Sequence, residues 1–181
     1  MRSPDKTVSE ELDERQKQLA AEEGEVYQLS LRHMIETVAD TGGSKVIGDY
    51  VVGFAIEEAE GLYEYAGDGE LEWVEPDEEN CHLEVAVADA ADGRFVPHLD
   101  VSAHFTSGDG NEVGPVEPSF LWHPGLYHYG ANVHVPEEGT YTLRVRVEAP
   151  TFRRHDRENG DRYAEAVEVE FEDVDVTTGQ S

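Results

Sequence analysis

His82-Leu83-Glu84-Val85-Ala86-Val87 sets the fold: apolar Leu83, Val85 and Val87 alternate with His82, Glu84 and Ala86. A period of two is that of a β-strand, whose successive side chains point to opposite faces. Leu83, Val85 and Val87 would meet a core, while His82 and Glu84 share the other face, where an imidazole and a carboxylate at i and i+2 can converge on one ligand. Cys81 next door points away from His82 and reads as a half-buried thiol rather than a ligand.

Working outward, everything after Gly48 shows short apolar runs between Gly, Pro, Asp and Glu clusters, the texture of an all-β chain. Tyr50 to Ile56 is continuous enough for a buried strand, and Glu70 to Val74 reads as a further or edge strand. From Phe95 to Phe105, Leu99, Val101, Ala103 and Phe105 alternate with His98, Asp100, Ser102 and His104, which places both histidines outside. Asn132 to Val135, the turn Pro136-Glu137-Glu138-Gly139 and Tyr141 to Val147 read as a hairpin, with Arg144 and Arg146 outward. Pro150 closes that strand, Arg153 to Arg162 is a charged loop, and Val167, Val169 and Phe171 mark a last strand. Seven or so strands at this spacing fit an immunoglobulin-like β-sandwich. Upstream, Tyr27, Leu31, Met34, Ile35 and Val38 follow helical spacing, with Gly42-Gly43 as a stop, and His33 is expected at the surface. Residues 1–24 read as a polar extension, disordered or a solvated helix, 25–176 as one domain and 177–181 as a tail.

Composition narrows the function. The formal charge of −28, from 41 acidic against 13 basic residues, disfavours nucleic acid and anionic membrane surfaces. Scarce lysine and acids spread throughout resemble proteins that work in concentrated salt, where a Debye length of about 3 Å at 1 M screens self-repulsion. One cysteine excludes an intrachain disulfide and a Cys-rich zinc site. No stretch approaches the roughly 18 apolar residues of a membrane span, and the N-terminus lacks a signal-peptide core or lipid-anchor cysteine.

Gly125-Leu126-Tyr127-His128-Tyr129-Gly130-Ala131-Asn132 carries the second chemical signal, a histidine between aromatics and glycines. Asn132 is expected to cap a turn, Gly125 and Gly130 to serve turns. Phe120, Trp122, Tyr127 and Tyr129 form either an aromatic shell around a site or ordinary core. His155 lies in the charged loop. Phosphate loops, a Gly-x-Ser-x-Gly elbow and a His-Glu-x-x-His helix are absent, so catalytic templates find no match.

The words His82-Leu83-Glu84, His128-Tyr129-Gly130-Ala131-Asn132 and Arg154-His155-Asp156, in that order, resemble the periplasmic iron-transport accessory family of the P19 and Tp34 type. The resemblance implies a metal-binding protein that is not an enzyme, with His82, Glu84, His128 and His155 as ligands. It further implies a divalent transition metal, iron or copper with zinc an alternative, delivery to a membrane iron permease, a homodimer, and an extracytoplasmic location. The family methionine falls on Leu121 here, and His123, two residues on, is the candidate replacement. Losing a thioether shifts preference from copper(I) towards iron(II), zinc or copper(II). Imidazole ligands with a reference pKa of about 6.5 are expected to release metal on acidification. An immunoglobulin-like interaction module with incidental histidines, and a metal-dependent hydrolase, are the competing readings.

Overall fold

The strand that carries His82 and Glu84 obeys its alternation on one face and exceeds it on the other, because every residue of β5 (Cys81–Asp89) is buried. In the computed structural model, which describes residues 11–67 and 69–177, two antiparallel sheets form a β-sandwich. The first sheet runs β1 (Thr41–Ile47), β2 (Tyr50–Glu57), β5, β9 (His128–Val133) and β8 (Ser119–Leu121). The second runs β11 (Val167–Val176), β10 (Gly139–Val147), β6 (Val101–Ser107) and β7 (Glu112–Val116). A separate hairpin joins β3 (Leu62–Tyr65) to β4 (Leu71–Val74). Between the sheets lie Val52, Phe54 and Ile56 of β2 and Leu83, Val85 and Val87 of β5, against Phe105, Leu143, Val145, Val169 and Phe171.

The outer face of the first sheet is covered by α1 (Glu14–His33), which runs on into a π-helical turn, Met34–Val38. Asp13 caps α1: its carboxylate accepts from the Gln16 N–H at 2.8 Å, and the Gln16 side chain accepts from the Asp13 N–H at 3.0 Å. The helix lands where the sheet offers small residues. Leu31 and Met34 pack on Ala55 and Ala86, and a Cβ on Gly53 would lie 3.1 Å from Leu31 Cδ1. Burial of that stripe is what makes β5 dry on both sides.

Several expectations need correction. The helix starts at Glu14 rather than near Val26, so for residues 14–24 the helical alternative holds, continuous with the helix that follows; residues 1–10 of the extension and 178–181 of the tail lie outside the described residues. Helix geometry ends at Val38, and Gly42-Gly43 sit within β1. The run from Phe95 becomes regular strand only at Val101. Asn132–Val147 is not a hairpin: β9 pairs with β5 and β8, and β10 with β6 and β11, so the chain crosses between sheets. The cause is local. Asn80 takes both backbone groups of Val135, each at 2.8 Å, and the buried Val133 and Val135 side chains turn into the core, so Val135 offers β10 no ladder and β10 pairs with β6 and β11 instead. Cys81 is fully rather than half buried, and burial pushes its thiol up to about 12.

Candidate metal centre

Antiparallel pairing of β5 with β9 sets His82 opposite Asn132 and Glu84 opposite Gly130. His128 opens β9, so both imidazoles and the carboxylate emerge on the outer face, beside the end of α1. One donor atom from each of His82, Glu84 and His128 lies within 4.8 Å of the others, and all three residues are buried. A tetrahedral ion with bonds of about 2.1 Å spaces its donors by about 3.4 Å. His128 Nε2 lies 3.4 Å from Glu84 Oε1.

Hydrogen bonding fixes the tautomer of each ring. The Leu126 carbonyl can only accept, so His128 donates to it from Nδ1 at 3.0 Å. Asn132 donates its NH₂ to the Glu60 carbonyl at 2.8 Å, which leaves its oxygen to accept from His82 Nδ1, also at 2.8 Å. In the neutral form of both rings the lone pair therefore sits on Nε2. Neither Nε2, nor Glu84 Oε2, has a hydrogen-bond partner although all are buried. Buried polar atoms without partners are costly; here a divalent cation would satisfy all three at once. Holding the second ring nitrogen by an amide or carbonyl is the usual way a histidine ligand is oriented.

The electrostatics suit a site kept uncharged until a cation arrives. Burial, reinforced by Glu57 and Glu60, pushes Glu84 from 4.5 up to about 8. Burial pulls His128 from 6.5 down to about 4, opposed by its bond to Leu126 and assisted by His82 and His123. At neutral pH the pair is a carboxylic acid beside a neutral imidazole, so their 3.4 Å separation is no ion pair.

Gly130 belongs to the floor of this site rather than to a turn. A Cβ there would lie 2.8 Å from His82 Nε2 and 2.4 Å from Leu121 Cδ1. Leu121 pairs with His128 across β8 and β9, so it borders the centre with an apolar branch. His123 lies in an exposed loop with its ring 5.8 Å from that of His128. Its Nδ1 accepts from the N–H groups of Gly125 and Leu126, and it stands outside the three-residue group.

His155 is not brought to this centre. It is exposed on the loop between β10 and β11. That loop is anchored: Arg154 donates to the carbonyls of Pro150, Phe152 and Arg162, and Arg162 and Tyr163 bind the buried Asp89. The aromatic alternatives divide. Tyr129 is core, donating to Val96 O at 2.8 Å and accepting from Leu99 N at 3.2 Å, whereas Phe120, Trp122 and Tyr127 are exposed.

Sequence reasoning missed the cavity in front of Glu84. It has a volume of about 390 Å³ and is lined by His33 and Met34 of the helical segment, Glu57, Glu60, His123 and Leu126, among others. Glu57 pairs with His82 across β2 and β5, so the strand after Tyr50 and its acidic end held the signal. His33 is exposed as expected, yet it borders this cavity.

Residues 64–177, more than half of the chain, match the family described as Fe2+ transport protein. The chain belongs to that family. No curated protein matches it. Among solved structures it is similar to FetP of uropathogenic Escherichia coli strain F11, at 19% identity and a TM-score of 0.58, covering 75% of this chain and 95% of that one. A copper-bound variant of FetP is similar at 19% identity and a TM-score of 0.63, covering 77% and 92%. Copper-reconstituted P19 of Campylobacter jejuni is similar at 18% identity and a TM-score of 0.58, covering 75% and 96%. At these identities the likeness is one of fold, and it is the β-sandwich described above. As a member of the Fe2+ transport protein family the chain is a metal-binding accessory protein of transport. The family match starts at Glu64, so α1, β1 and β2 fall outside it.

Proposed function

We propose that His82, Glu84 and His128 capture a divalent transition metal, iron(II) or copper(II) with zinc as a competitor, outside the cytoplasm, and that the chain delivers it to a membrane permease. One observation carries the reading: two fixed tautomers aim orphaned Nε2 atoms at a buried carboxyl group, with donor spacing that fits an ion. The copper held by FetP and P19 structures supports a transition metal of this class. The reading assigns capture and release to the chain, and no covalent step. No helix among the described residues is long and apolar enough to cross a membrane.

The working unit in this proposal is a homodimer. His155 sits apart from its own centre on an anchored loop, where a second copy can use it. His123 is the alternative ligand from the same chain, its Nε2 left free by the bonds at Nδ1.

Metal-stripped protein titrated anaerobically with iron(II), and separately with copper(II) and zinc, in molar salt beside His128→Ala, tests capture. One ion per chain, lost in the variant, is the expected result; no binding in either chain would leave an interaction module in front. Mixing His155→Ala with His82→Ala tests the dimer. Partial recovery of binding in the mixture is expected if His155 acts across subunits, and none if it does not act there.

A further inference from the structure

We infer that Glu60, in the loop between β2 and β3, is a further ligand of this metal centre, set in place by Asn132. The inference rests on the capture reading above and adds a residue that lies outside the family-matched segment.

His82 is 1% exposed, and its Nε2 has no hydrogen-bond partner. The carboxylate oxygen in front of it is Glu60 Oε1, at 3.9 Å. That is too long for a hydrogen bond and suits two donors on either side of one ion, whose separation runs from about 3.4 Å at tetrahedral angles to about 4.2 Å when trans, for bonds near 2.1 Å. Glu60 stands outside the compact group of His82, Glu84 and His128, and its half-exposed side chain has the freedom to move towards it.

Its backbone has no such freedom. The Asn132 side chain grips Glu60 at both ends, donating to its carbonyl at 2.8 Å and accepting from its N–H at 3.3 Å. The same Asn132 oxygen holds His82 Nδ1. One amide therefore sets the direction of the ring and the place of the carboxylate together.

Charge points the same way. A divalent ion on two neutral imidazoles and Glu84 alone keeps one uncompensated positive charge in a largely buried site, which is unfavourable. A second carboxylate makes the centre neutral. Glu57 lines the same cavity, but Glu60 is the one whose oxygen faces an orphaned donor. Two carboxylates and two imidazoles form an oxygen- and nitrogen-donor set suited to iron(II), zinc or copper(II) rather than copper(I).

The full chain, Glu60→Gln, Glu57→Gln and His128→Ala are stripped of metal and titrated with iron(II), and with cobalt(II) followed by its d–d absorption, in molar salt. If Glu60 is a ligand, Glu60→Gln weakens iron(II) binding at least about tenfold and changes the cobalt spectrum. Glu57→Gln then stays within about threefold with an unchanged spectrum, since a carboxylate that acts without contact leaves the donor set as it was. Equal losses in the two Gln variants, or a wild-type affinity and spectrum for Glu60→Gln, would overturn the assignment while His128→Ala still upholds capture. Binding unaffected in His128→Ala, or absent from the unaltered chain, would overturn both.

Discussion

Glu84→Gln should stabilise the metal-free protein, and the gain should depend on pH. Gln has nearly the volume of Glu, so packing is retained while the ionisable group is removed. In the folded chain Glu84 holds its proton to about 8, whereas unfolded it ionises near 4.5. Between those values the folded state binds the extra proton, so stability falls as pH rises through that window. At pH 7 the gap of 2.5 units amounts to about 3 kcal/mol at 1.36 kcal/mol per unit. His128 acts in the opposite sense: its folded value of about 4 lies below the ordinary 6.5, so it adds stability as pH rises from 4 to 6.5. In the wild type the two slopes nearly cancel up to pH 6.5, and a decline of about 2 kcal/mol follows by pH 8. Glu84→Gln should climb to pH 6.5 and then stay level. Urea unfolding of metal-stripped proteins at fixed molar salt, from pH 4.5 to 8, reads this directly. A difference that does not widen with pH, or a wild type more stable than the variant at pH 7, would refute the account of Glu84. Saturating metal should narrow or invert the order, because the ion stabilises the wild-type centre more.

The pH dependence of binding follows from the same two groups. Metal must displace the Glu84 proton below about 8, so apparent affinity should rise about tenfold per pH unit from 5 to 8, with close to one proton released per ion. Calorimetry in two buffers of different ionisation enthalpy checks this. His128 competes for protons only near 4, so its own share of acid-driven release lies well below the ordinary histidine range. Gly130→Ala should fold, at a cost of about 1–3 kcal/mol taken up by the Leu121 branch, and lose metal binding because its methyl lies 2.8 Å from His82 Nε2. Gly24→Ala, a change worth about 1 kcal/mol of stabilisation in an isolated helix, should instead destabilise by about 1–3 kcal/mol. Its Cβ would meet Asp92 O at 1.7 Å, and thermal unfolding in high salt would show the sign. With a formal charge of −28, unfolding midpoints should rise as salt is raised from 0.1 M towards the molar range.

The alternation in β5, β6, β10 and β11 was legible because one face of each strand meets a single continuous core. The covering of the opposite face of β5 was harder to read. Its signal was the small residues Gly53, Ala55 and Ala86, which matter only once α1 is known to lie over them. The false hairpin after Asn132 shows the limit of turn chemistry: Pro-Glu-Glu-Gly marks a change of direction equally well between sheets as within one. At the site, His82, Glu84 and His128 came from short words, and neighbouring strands bring them together. Glu57, Glu60 and His33 did not, since in so acidic a chain one more carboxylate carries no information until the register Glu57 opposite His82 is known.

The Asn132 amide ties the metal centre to a distant-looking part of the molecule. Two residues beyond Glu60 the chain enters the β3–β4 hairpin, whose Tyr63, Tyr65, Leu71 and Trp73 stand in solvent. The chain that leads into this hairpin is held at Glu60 by the same side chain that holds the ring of His82. On the capture reading, the exposed hairpin and the imidazole that would face the ion share one fixing point, the Asn132 amide.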